Sequence, residues 1–278
     1  MSKGWHNSVA LLATRHGKEA VIAPLLHQHL GICVEVVDID TDQFGTFSRE
    51  RPRAGDAVAT LRLKIASAFQ VKEAPLGLAS EGSFGPHPQL PWLPWNQEWV
   101  MLQDPVEGLE LVGWAGSSRT NFSHRRVSTL AEALTFAQQV GFPEHGLIAL
   151  DDPQQPQVIH KGIQDEETLQ AIFQELNVHR RGVHLETDMR AMCNPSRMQV
   201  IAAATENLIA KARSYCPACG TPGYWRIRSL SGLPCGNCGA PTPLPKAWVY
   251  GCLRCSHTHQ EPVEEPWADP AQCAFCNP

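Results

Sequence analysis

Eight of the ten cysteines in this 278-residue chain fall within its last 63 residues, as four Cys-x-x-Cys pairs. Each pair places two thiols on one side of a tight loop, which is half of a tetrahedral zinc shell. Paired thiols in a reducing compartment are more often metal ligands than disulfides. We therefore predict two structural zinc ions, each held by four cysteines. The predicted ligands are Cys216, Cys219, Cys235, Cys238, Cys252, Cys255, Cys273 and Cys276.

The spacing of the pairs bears on which of them share an ion. Fifteen residues separate Cys219 from Cys235, and seventeen separate Cys255 from Cys273. Both intervals match four-cysteine zinc ribbons, so the spacing favours sequential pairing, with one ion in each half of the tail. Only 13 residues separate the second pair from the third, so a nested arrangement is also open. A thioredoxin-type motif is disfavoured, because it requires one pair at a helix start and not four in loops.

The tail also interleaves basic and aromatic residues. Residues 214–260 contain no Asp or Glu, but they contain four cations with large aromatic residues interleaved. Such a surface could hold nucleic acid by phosphate contact and base stacking. Each tetrathiolate zinc site carries about −2, however, which offsets the cations, and the aromatic residues also suit a small core. A protein-docking or structural role is therefore open as well. The residues are Arg226, Arg228, Lys246, Arg254, Tyr224, Trp225, Trp248 and Tyr250.

Outside the tail, polar residues follow predicted buried strands at 14–19, 38–53 and 80–88. Ligands of open α/β sheets bind beyond the carboxyl ends of the strands, so we expect any chemistry at these segments. The first segment precedes a predicted helix, whose N-terminus favours an anion. We predict phosphate binding there, with a solvated helix-capping turn as the alternative. The predicted phosphate-binding residues are Thr14, Arg15, His16 and Lys18.

Carboxylates in the other two segments are candidate magnesium ligands. Oxygen ligands suit magnesium, the ion that accompanies phosphates. Loop aspartates are also typical solvated charges, whereas Glu81 ends a buried strand, where a carboxylate without a partner is costly. The candidate magnesium ligands are Asp40, Asp42, Glu50 and Glu81.

The hydrophobic pattern predicts an α/β fold with a mixed, largely parallel sheet and flanking helices. A strand at Val9–Ala13, a helix that stops at Gly31 and a strand at Ile32–Val37 form a β-α-β beginning. Later segments predict helices at 55–70, 130–140 and 166–176, a strand at 76–79, a hairpin over 98–114, strands near 146–150 and 157–160, and a helix that begins at an Asn194 N-cap and runs to about 213. We expect an α/β body over residues 1–185, a linking helix over 186–213 and a double zinc ribbon over 214–278.

Composition and missing motifs disfavour several classes. A net charge of −5 argues against coating of nucleic acid or anionic membrane through charge alone. No stretch approaches the roughly 18 to 20 apolar residues of a membrane span, and the N-terminus lacks a signal-peptide pattern. We therefore expect a cytoplasmic protein without membrane contact. P-loop, Rossmann, zincin and hydrolase-elbow motifs are absent from the sequence.

Several segments resemble a bacterial family known only as a domain of unknown function. The resemblance covers essentially the whole chain and implies a cysteine-rich zinc-ribbon tail, without an assigned activity. It rests on the cysteine tail and on Ala13-Thr14-Arg15-His16-Gly17-Lys18-Glu19, Asp40-Thr41-Asp42-Gln43-Phe44-Gly45-Thr46-Phe47-Ser48, Leu78-Ala79-Ser80-Glu81-Gly82-Ser83-Phe84-Gly85-Pro86-His87-Pro88, Thr187-Asp188-Met189-Arg190-Ala191 and Asn194-Pro195-Ser196-Arg197-Met198.

A remoter likeness concerns the first ~90 residues. The order Ala-Thr-x-x-x-Lys, Gln-Phe-Gly, Glu and strand-Glu-Gly is similar to the inosine-triphosphate pyrophosphatase superfamily. That resemblance implies magnesium-dependent hydrolysis of nucleoside triphosphates. It further implies that Thr14 and Lys18 hold phosphate, while Glu50 and Glu81 hold metal or orient the attacking water. We therefore name Glu81, Lys18 and Glu50 as candidate catalytic residues. The asparagine usual in the first motif is histidine or glycine here.

A second polar cluster precedes the cysteine tail. Asp188, Arg190, Asn194 and Arg197 have helix-compatible spacing. They could reach the cleft as phosphate ligands, or Asp188 and Arg190 could be structural. Our leading hypothesis is a metal-dependent hydrolase acting on a nucleotide or a related phosphorylated small molecule. The alternative is a non-enzymatic zinc-ribbon protein that binds nucleic acid or a protein partner.

Overall fold

The computed structural model of the protein describes residues 4–41, 56–178 and 182–278. The chain divides into two compact units, Trp5–Leu208 and Ile209–Pro278, which we call the α/β unit and the cysteine unit. Strands and helices combine in mixed and antiparallel sheets with helices beside them. The predicted α/β class with a mixed sheet and flanking helices is confirmed. Among the described residues, no helix has both the length and the apolar character needed to cross a membrane.

The first sheet of the α/β unit has five strands in the order β2-β1-β3-β4-β5. β1 pairs in parallel with β2 and with β3, whereas β3, β4 and β5 form an antiparallel meander. Parallel pairing, which the sequence favoured for most of the sheet, therefore joins only β2, β1 and β3 among the described strands. The strands are β1 (Val9–Ala13), β2 (Cys33–Val37), β3 (Leu76–Pro86), β4 (Pro94–Asp104) and β5 (Leu109–Ser117).

Helices cover both faces of this sheet. α2 packs Leu61 and Ile65 against Ala79 and Met101. α5 lies against Gly113, which pairs with Val100. Neighbouring residues of a strand point to opposite faces, so α2 and α5 lie on opposite sides of the sheet. The helices are α1 (Glu19–Leu30), which ends at Gly31 with φ 66°, α2 (Ala57–Val71) and α5 (Pro195–Ala212).

The second sheet of the α/β unit is antiparallel, with the order β6-β9-β7-β8. Its core joins Leu147 and Leu185 of the strands to Phe136 and Leu169 of two amphipathic helices. The sequence predicted both helices, β7 and β8, but it did not predict β6 or β9. The elements are β6 (His124–Val127), α3 (Leu130–Gln139), β7 (Leu147–Leu150), β8 (Ile159–Ile163), α4 (Glu166–Leu176) and β9 (Val183–Thr187).

Strand β3 differs from its prediction in a way that matters for the site. The expected loop from Ser80 to Gly85 lies inside the strand, paired with β4 over its whole length. Within the strand, Gly82 permits a close approach of two side chains. A Cβ there would lie 2.5 Å from Glu98 Oε1 and 2.6 Å from Arg197 Nη2. β3 therefore extends past the end of β1, whose last residue pairs with Ala79.

The cysteine unit is built on a three-stranded antiparallel sheet, β10-β11-β12. The chain enters it from the last turn of α5. The strands are β10 (Trp225–Ser231), β11 (Pro245–Gly251) and β12 (Thr258–Pro262). Isolated bridges, Tyr215 to Pro222 and Pro234 to Pro241, close the loops that hold the first two cysteine pairs.

The seam between β5 and α5 yields a stability prediction. Gly113→Ala places a methyl carbon 2.2 Å from the backbone carbonyl oxygen of Ala204 and 2.6 Å from Leu208 N, and backbone atoms cannot move aside cheaply. We expect unfolding at lower urea, with a loss of about 1–3 kcal/mol. The matched control is Gly85→Ala, whose Cβ meets nothing within 4 Å. Equal midpoints for the two variants would contradict this packing.

Candidate functional site

The eight tail cysteines form two groups of four, each with its ligand atoms within 4.8 Å of one another. The groups combine the first pair with the third and the second pair with the fourth. Each group can hold one metal ion, and four thiolates suit structural zinc. The groups are Cys216, Cys219, Cys252 and Cys255, and Cys235, Cys238, Cys273 and Cys276.

The sulfur separations match a tetrahedral shell. Zinc–thiolate bonds of ~2.3 Å place the sulfurs of a regular tetrahedron about 3.8 Å apart. Four separations across the pairs are 3.5 to 3.8 Å. The dimensions of both groups therefore fit zinc. The measured pairs are Cys216–Cys255 (3.7 Å), Cys219–Cys252 (3.5 Å), Cys235–Cys276 (3.8 Å) and Cys238–Cys273 (3.6 Å).

The predicted sequential pairing is wrong, and the nested arrangement is not found either, because the groups interleave. The direction of the strands explains this. β10 carries the chain from the first pair to the far end of the sheet, where the second pair follows. β11 returns it, so that Gly251 pairs with Trp225 and the third pair arrives beside the first. β12 runs outward again and delivers the fourth pair to the second.

A cluster of buried charges in the α/β unit surrounds the extended part of β3. Lys64 Nζ of α2 donates to Glu81 Oε2 at 2.5 Å and to the Ser80 carbonyl oxygen at 3.3 Å. Lys18 Nζ, at the start of α1, donates to the same carbonyl oxygen at 3.4 Å. Lys18, Lys64 and Glu81 are all buried. The described structure thus brings two predicted site residues, Lys18 and Glu81, to one strand position.

A second ion pair joins α5 to β4. Arg197 Nε donates to Glu98 Oε1 at 2.8 Å, and neither side chain has measurable exposure. Arg197 Nη1 also donates to the Met189 carbonyl oxygen at 2.5 Å, and the guanidinium carbon lies 5.3 Å from the Phe84 ring centroid. Gly82 leaves the room that this pair occupies. Arg197 is therefore held rigidly beside β3.

The electrostatics of the cluster act most strongly on Lys18. The pKa of Lys18 is lowered from 10.5 to about 7, chiefly by burial and also by the positive charges of Arg197 and Lys64, against the opposing effect of Glu98 and Glu81. The proton on Lys18 is therefore held weakly near neutral pH. Any negative charge that arrives beside it would strengthen that hold.

Three buried polar atoms near this cluster have no hydrogen-bond partner among the described residues: Thr14 Oγ1, Ser80 Oγ and Asn96 Oδ1. Thr14 follows Ala13, which pairs with Ala79, so Thr14 lies level with Ser80. Asn96 lies on β4, two residues before Glu98. Buried polar atoms are rarely left without partners, so each of these three is a candidate contact for a polar ligand.

Comparison with protein families now adds an identity. Residues 64–278 match the model of DUF6671, a domain of unknown function. The chain belongs to the DUF6671 family. This confirms the predicted membership of an uncharacterised family, and the cysteine groups agree with its expected zinc-ribbon tail. A search of curated proteins gives no match. The likeness to inosine-triphosphate pyrophosphatases stays a prediction.

Other predicted residues of this DUF6671 protein lie elsewhere. Arg15 Nη1 pairs with Asp40 Oδ1 at 2.9 Å, and its Nε lies 3.9 Å from Asp38 Oδ1, on the exposed side of the loop. His16 is half-buried. Asp42 and Glu50 lie outside the described residues. Over residues 4–41, 56–178 and 182–278, only the two cysteine groups bring three or more metal-ligating side chains together.

The polar cluster before the tail divides between two roles. Arg190 Nη2 donates to Asp188 Oδ2 at 2.6 Å, and Asp188 Oδ2 also accepts the Gly162 N–H at 3.0 Å. Asn194 Oδ1 accepts the Arg197 N–H at 2.9 Å and so caps α5, as its sequence position predicted. Asp188 and Arg190 thus fasten the end of β9 to β8, whereas Arg197 reaches the charge cluster.

Sequence reasoning missed Lys64, Glu98, Ser80 and Asn96. The sequence pattern could have identified two of them, Lys64 and Glu98. Lys64 shares a helix face with the apolar Leu61, Ile65 and Ala68, and Glu98 shares a strand face with Val100 and Leu102. A charge at an apolar position of a periodic pattern indicates a buried partner. Ser80 and Asn96 carried no such sign in the sequence.

Double cysteine variants test the interleaved pairing. Cys219→Ser with Cys252→Ser removes two ligands of one group, so we expect the chain to retain about one metal ion. Cys219→Ser with Cys238→Ser damages both groups, so fewer ions should remain. Sequential pairing predicts the reverse order. Elemental analysis of the purified proteins decides between them, with Cys33→Ser as the control, since Cys33 lies outside both groups.

A titration tests the burial of Lys18. A lysine with a lowered folded pKa destabilises the fold fully below that pKa, and the penalty fades as the pH rises toward 10.5. Lys18→Met should therefore be more stable than the wild type near pH 6.5, and this advantage should fall by about 2–3 kcal/mol by about pH 9.

Urea unfolding at several pH values measures that difference. The control is Lys72→Met, whose side chain is 52% exposed in its ion pair with Glu35. Its stability relative to the wild type should change little over the same range. If the stability difference between Lys18→Met and the wild type does not change with pH, burial does not lower the pKa of Lys18 in the folded protein.

Proposed function

We propose that the α/β unit binds and hydrolyses a phosphorylated small molecule, with a nucleotide as the expected class. The observation that supports this most is a surplus of buried positive charge beside unsatisfied hydroxyls where β1 ends. Three cations, Lys18, Lys64 and Arg197, surround two carboxylates, Glu81 and Glu98, which leaves one positive charge when all are ionised. A phosphate would offset that charge.

The unsatisfied atoms suit a phosphate ester. The hydroxyls of Thr14 and Ser80 can donate to phosphate oxygens, and the start of α1 adds a helix dipole of the right sign. Asn96 Oδ1 is an acceptor, so it would take a donor from another part of the ligand, such as a sugar hydroxyl. A ligand with both phosphate and hydroxyl groups therefore matches the whole set better than a free phosphate.

The proposed chemistry assigns separate roles to the two predicted residues of the cluster. The Glu81 carboxylate, fixed by Lys64, would orient the attacking water and take its proton as the water oxygen bonds to phosphorus. The P–O bond to the leaving group would break at the same centre, with its electron pair staying on the leaving oxygen. Lys18 would bind the phosphate and hold its proton there, because the incoming negative charge counteracts the effects that lower its pKa. Arg197 would add a fixed positive field, since its hydrogen bonds to Glu98 and Met189 hold it in place.

Two metals enter this proposal in different ways. We take the ion of each cysteine group to be zinc, in a structural role, because four thiolates leave no open coordination position. Magnesium would accompany the substrate phosphates and neutralise their charge. Of its predicted protein ligands, Asp40 and Glu81 are paired with Arg15 and Lys64, and neither belongs to a group of three or more metal-ligating side chains among the described residues. No step is therefore assigned to magnesium.

Matched ion pairs provide the test. Glu81→Gln should lower phosphate release at least about 100-fold in a nucleotide panel with magnesium or manganese, because it removes the proposed base. Glu35→Gln is the control, since the exposed Lys72–Glu35 pair has the same 2.5 Å length as the buried Lys64–Glu81 pair. Lys18→Met should weaken substrate binding while the protein stays folded.

The panel also covers the alternative. If the wild type releases phosphate from no nucleotide, the hydrolase proposal fails, and a non-enzymatic binding protein becomes the better description. If release occurs but Glu81→Gln and Glu35→Gln turn over equally, hydrolysis stands and its assignment to this cluster fails.

A further inference from the structure

One face of the cysteine-unit sheet is open and carries planar side chains. On β11, Ala247, Val249 and Gly251 are buried, whereas the alternating Lys246, Trp248 and Tyr250 are exposed or half-exposed. Residues directly opposite on paired strands share a face. Arg226 of β10 and His259 of β12 both pair with Tyr250 and therefore lie on this side, which we call the open face.

The planar groups of the open face form a layer. The rings of Tyr250 and His259 stack, with centroids 4.8 Å apart and 17° between their planes. The Arg226 guanidinium carbon lies 4.8 Å from the Trp248 ring centroid and 5.7 Å from that of Tyr250, and its Nε donates to the Tyr250 hydroxyl at 2.9 Å. Tyr224 adds its hydroxyl, 2.6 Å from His259 Nδ1. These contacts hold the side chains ready at little further entropic cost.

The charge of the open face is favourable to an anion. Arg226 and Lys246 project from it and are exposed. Residues 214–260 contain no carboxylate. Glu261 of the outer strand β12 pairs with Trp248 and therefore also lies on the open face, where Arg226 and Lys246 outnumber it. The two cysteine groups are anionic with zinc bound, but they lie beyond the two ends of the β10–β11 pair, where the cysteines flank these strands in sequence.

We propose that the open face binds single-stranded nucleic acid. Unpaired bases would stack on Trp248 and Tyr250, while Arg226 and Lys246 contact the phosphates between them. Every unpaired base offers a flat face, so stacking of this kind tolerates any sequence. A duplex hides those faces. A protein partner with an apolar surface would have to desolvate Arg226, which a phosphate neutralises instead.

Fluorescence anisotropy of the full-length, metal-loaded protein with a short labelled oligothymidine tests the proposal. We expect binding at about 50 mM salt that weakens steeply by about 200 mM, because phosphate contacts release counterions. A labelled oligouridine should behave similarly, and a duplex of the same length should bind more weakly. Metal content is measured for every variant, so that loss of fold is not mistaken for loss of a contact.

Two matched pairs of variants locate the site. Trp248→Leu should weaken binding roughly 5- to 150-fold, the range for one stacked base. Its control, Trp267→Leu, removes a tryptophan that is 61% exposed outside the sheet. Arg226→Gln should weaken binding and reduce the salt slope by about 1. Its control, Arg228→Gln, removes the same charge from the same strand, opposite the buried Val249.

Several outcomes would overturn the proposal. They are no binding of the single strand at low salt, tighter binding of the duplex, or equal losses in Trp248→Leu and Trp267→Leu. Lys18→Met separates this site from the α/β unit. It should leave oligonucleotide binding unchanged, whereas a parallel loss would assign the binding to the proposed phosphate site.

Discussion

The neutralisation of one buried arginine is the constraint on which the α/β unit depends. Arg197 has no exposed side-chain surface, and a buried charge without a partner costs on the order of several kcal/mol. The Glu98 carboxylate and the Met189 carbonyl oxygen accept hydrogen bonds from its guanidinium group. Because Glu98 lies on β4 and Met189 follows β9, this one side chain ties the first sheet to the segment that leaves the second. Gly82 is required beside it, since a larger residue would occupy the space of the pair.

The cysteine unit obeys a comparable rule, with metal in place of the counter-ion. Each group takes two ligands from the first half of the unit and two from the second. Neither half alone can complete either of these two groups, so metal binding would be coupled to the folding of the whole sheet. An interleaved unit also fixes the open face firmly, because both ends of β10 and β11 are fastened by a group. Four thiolates would leave a bound ion no position for a substrate, so the chemistry that we propose lies in the α/β unit.

Local patterns predicted what is local. Hydrophobic periodicity and capping residues predict the spans of β1, α1 and α4 and the Asn194 cap. The eight paired cysteines predict two metal sites. The sequence could not show which pairs share an ion, because the spacing within a ribbon says nothing about the direction of the strand between the pairs. Nor could it join Arg197 to Glu98, which are 99 residues apart. Nor did it show that β3 continues past Ala79, since a glycine that permits a distant contact, as Gly82 does, looks the same as one that permits a turn.

The lowered pKa of Lys18 connects the stability of the buried charge cluster to the phosphate binding that we propose for it. With Lys18 neutral, the remaining cations Lys64 and Arg197 match Glu81 and Glu98 in number, so the buried cluster balances by itself. A bound phosphate would bring negative charge, which favours the protonated form of Lys18, and the proton would offset part of that charge. A fully charged, permanently paired lysine would lack this freedom, and an apolar residue would give the anion no partner. The pKa of about 7 therefore suits a site that is stable both without and with an anion.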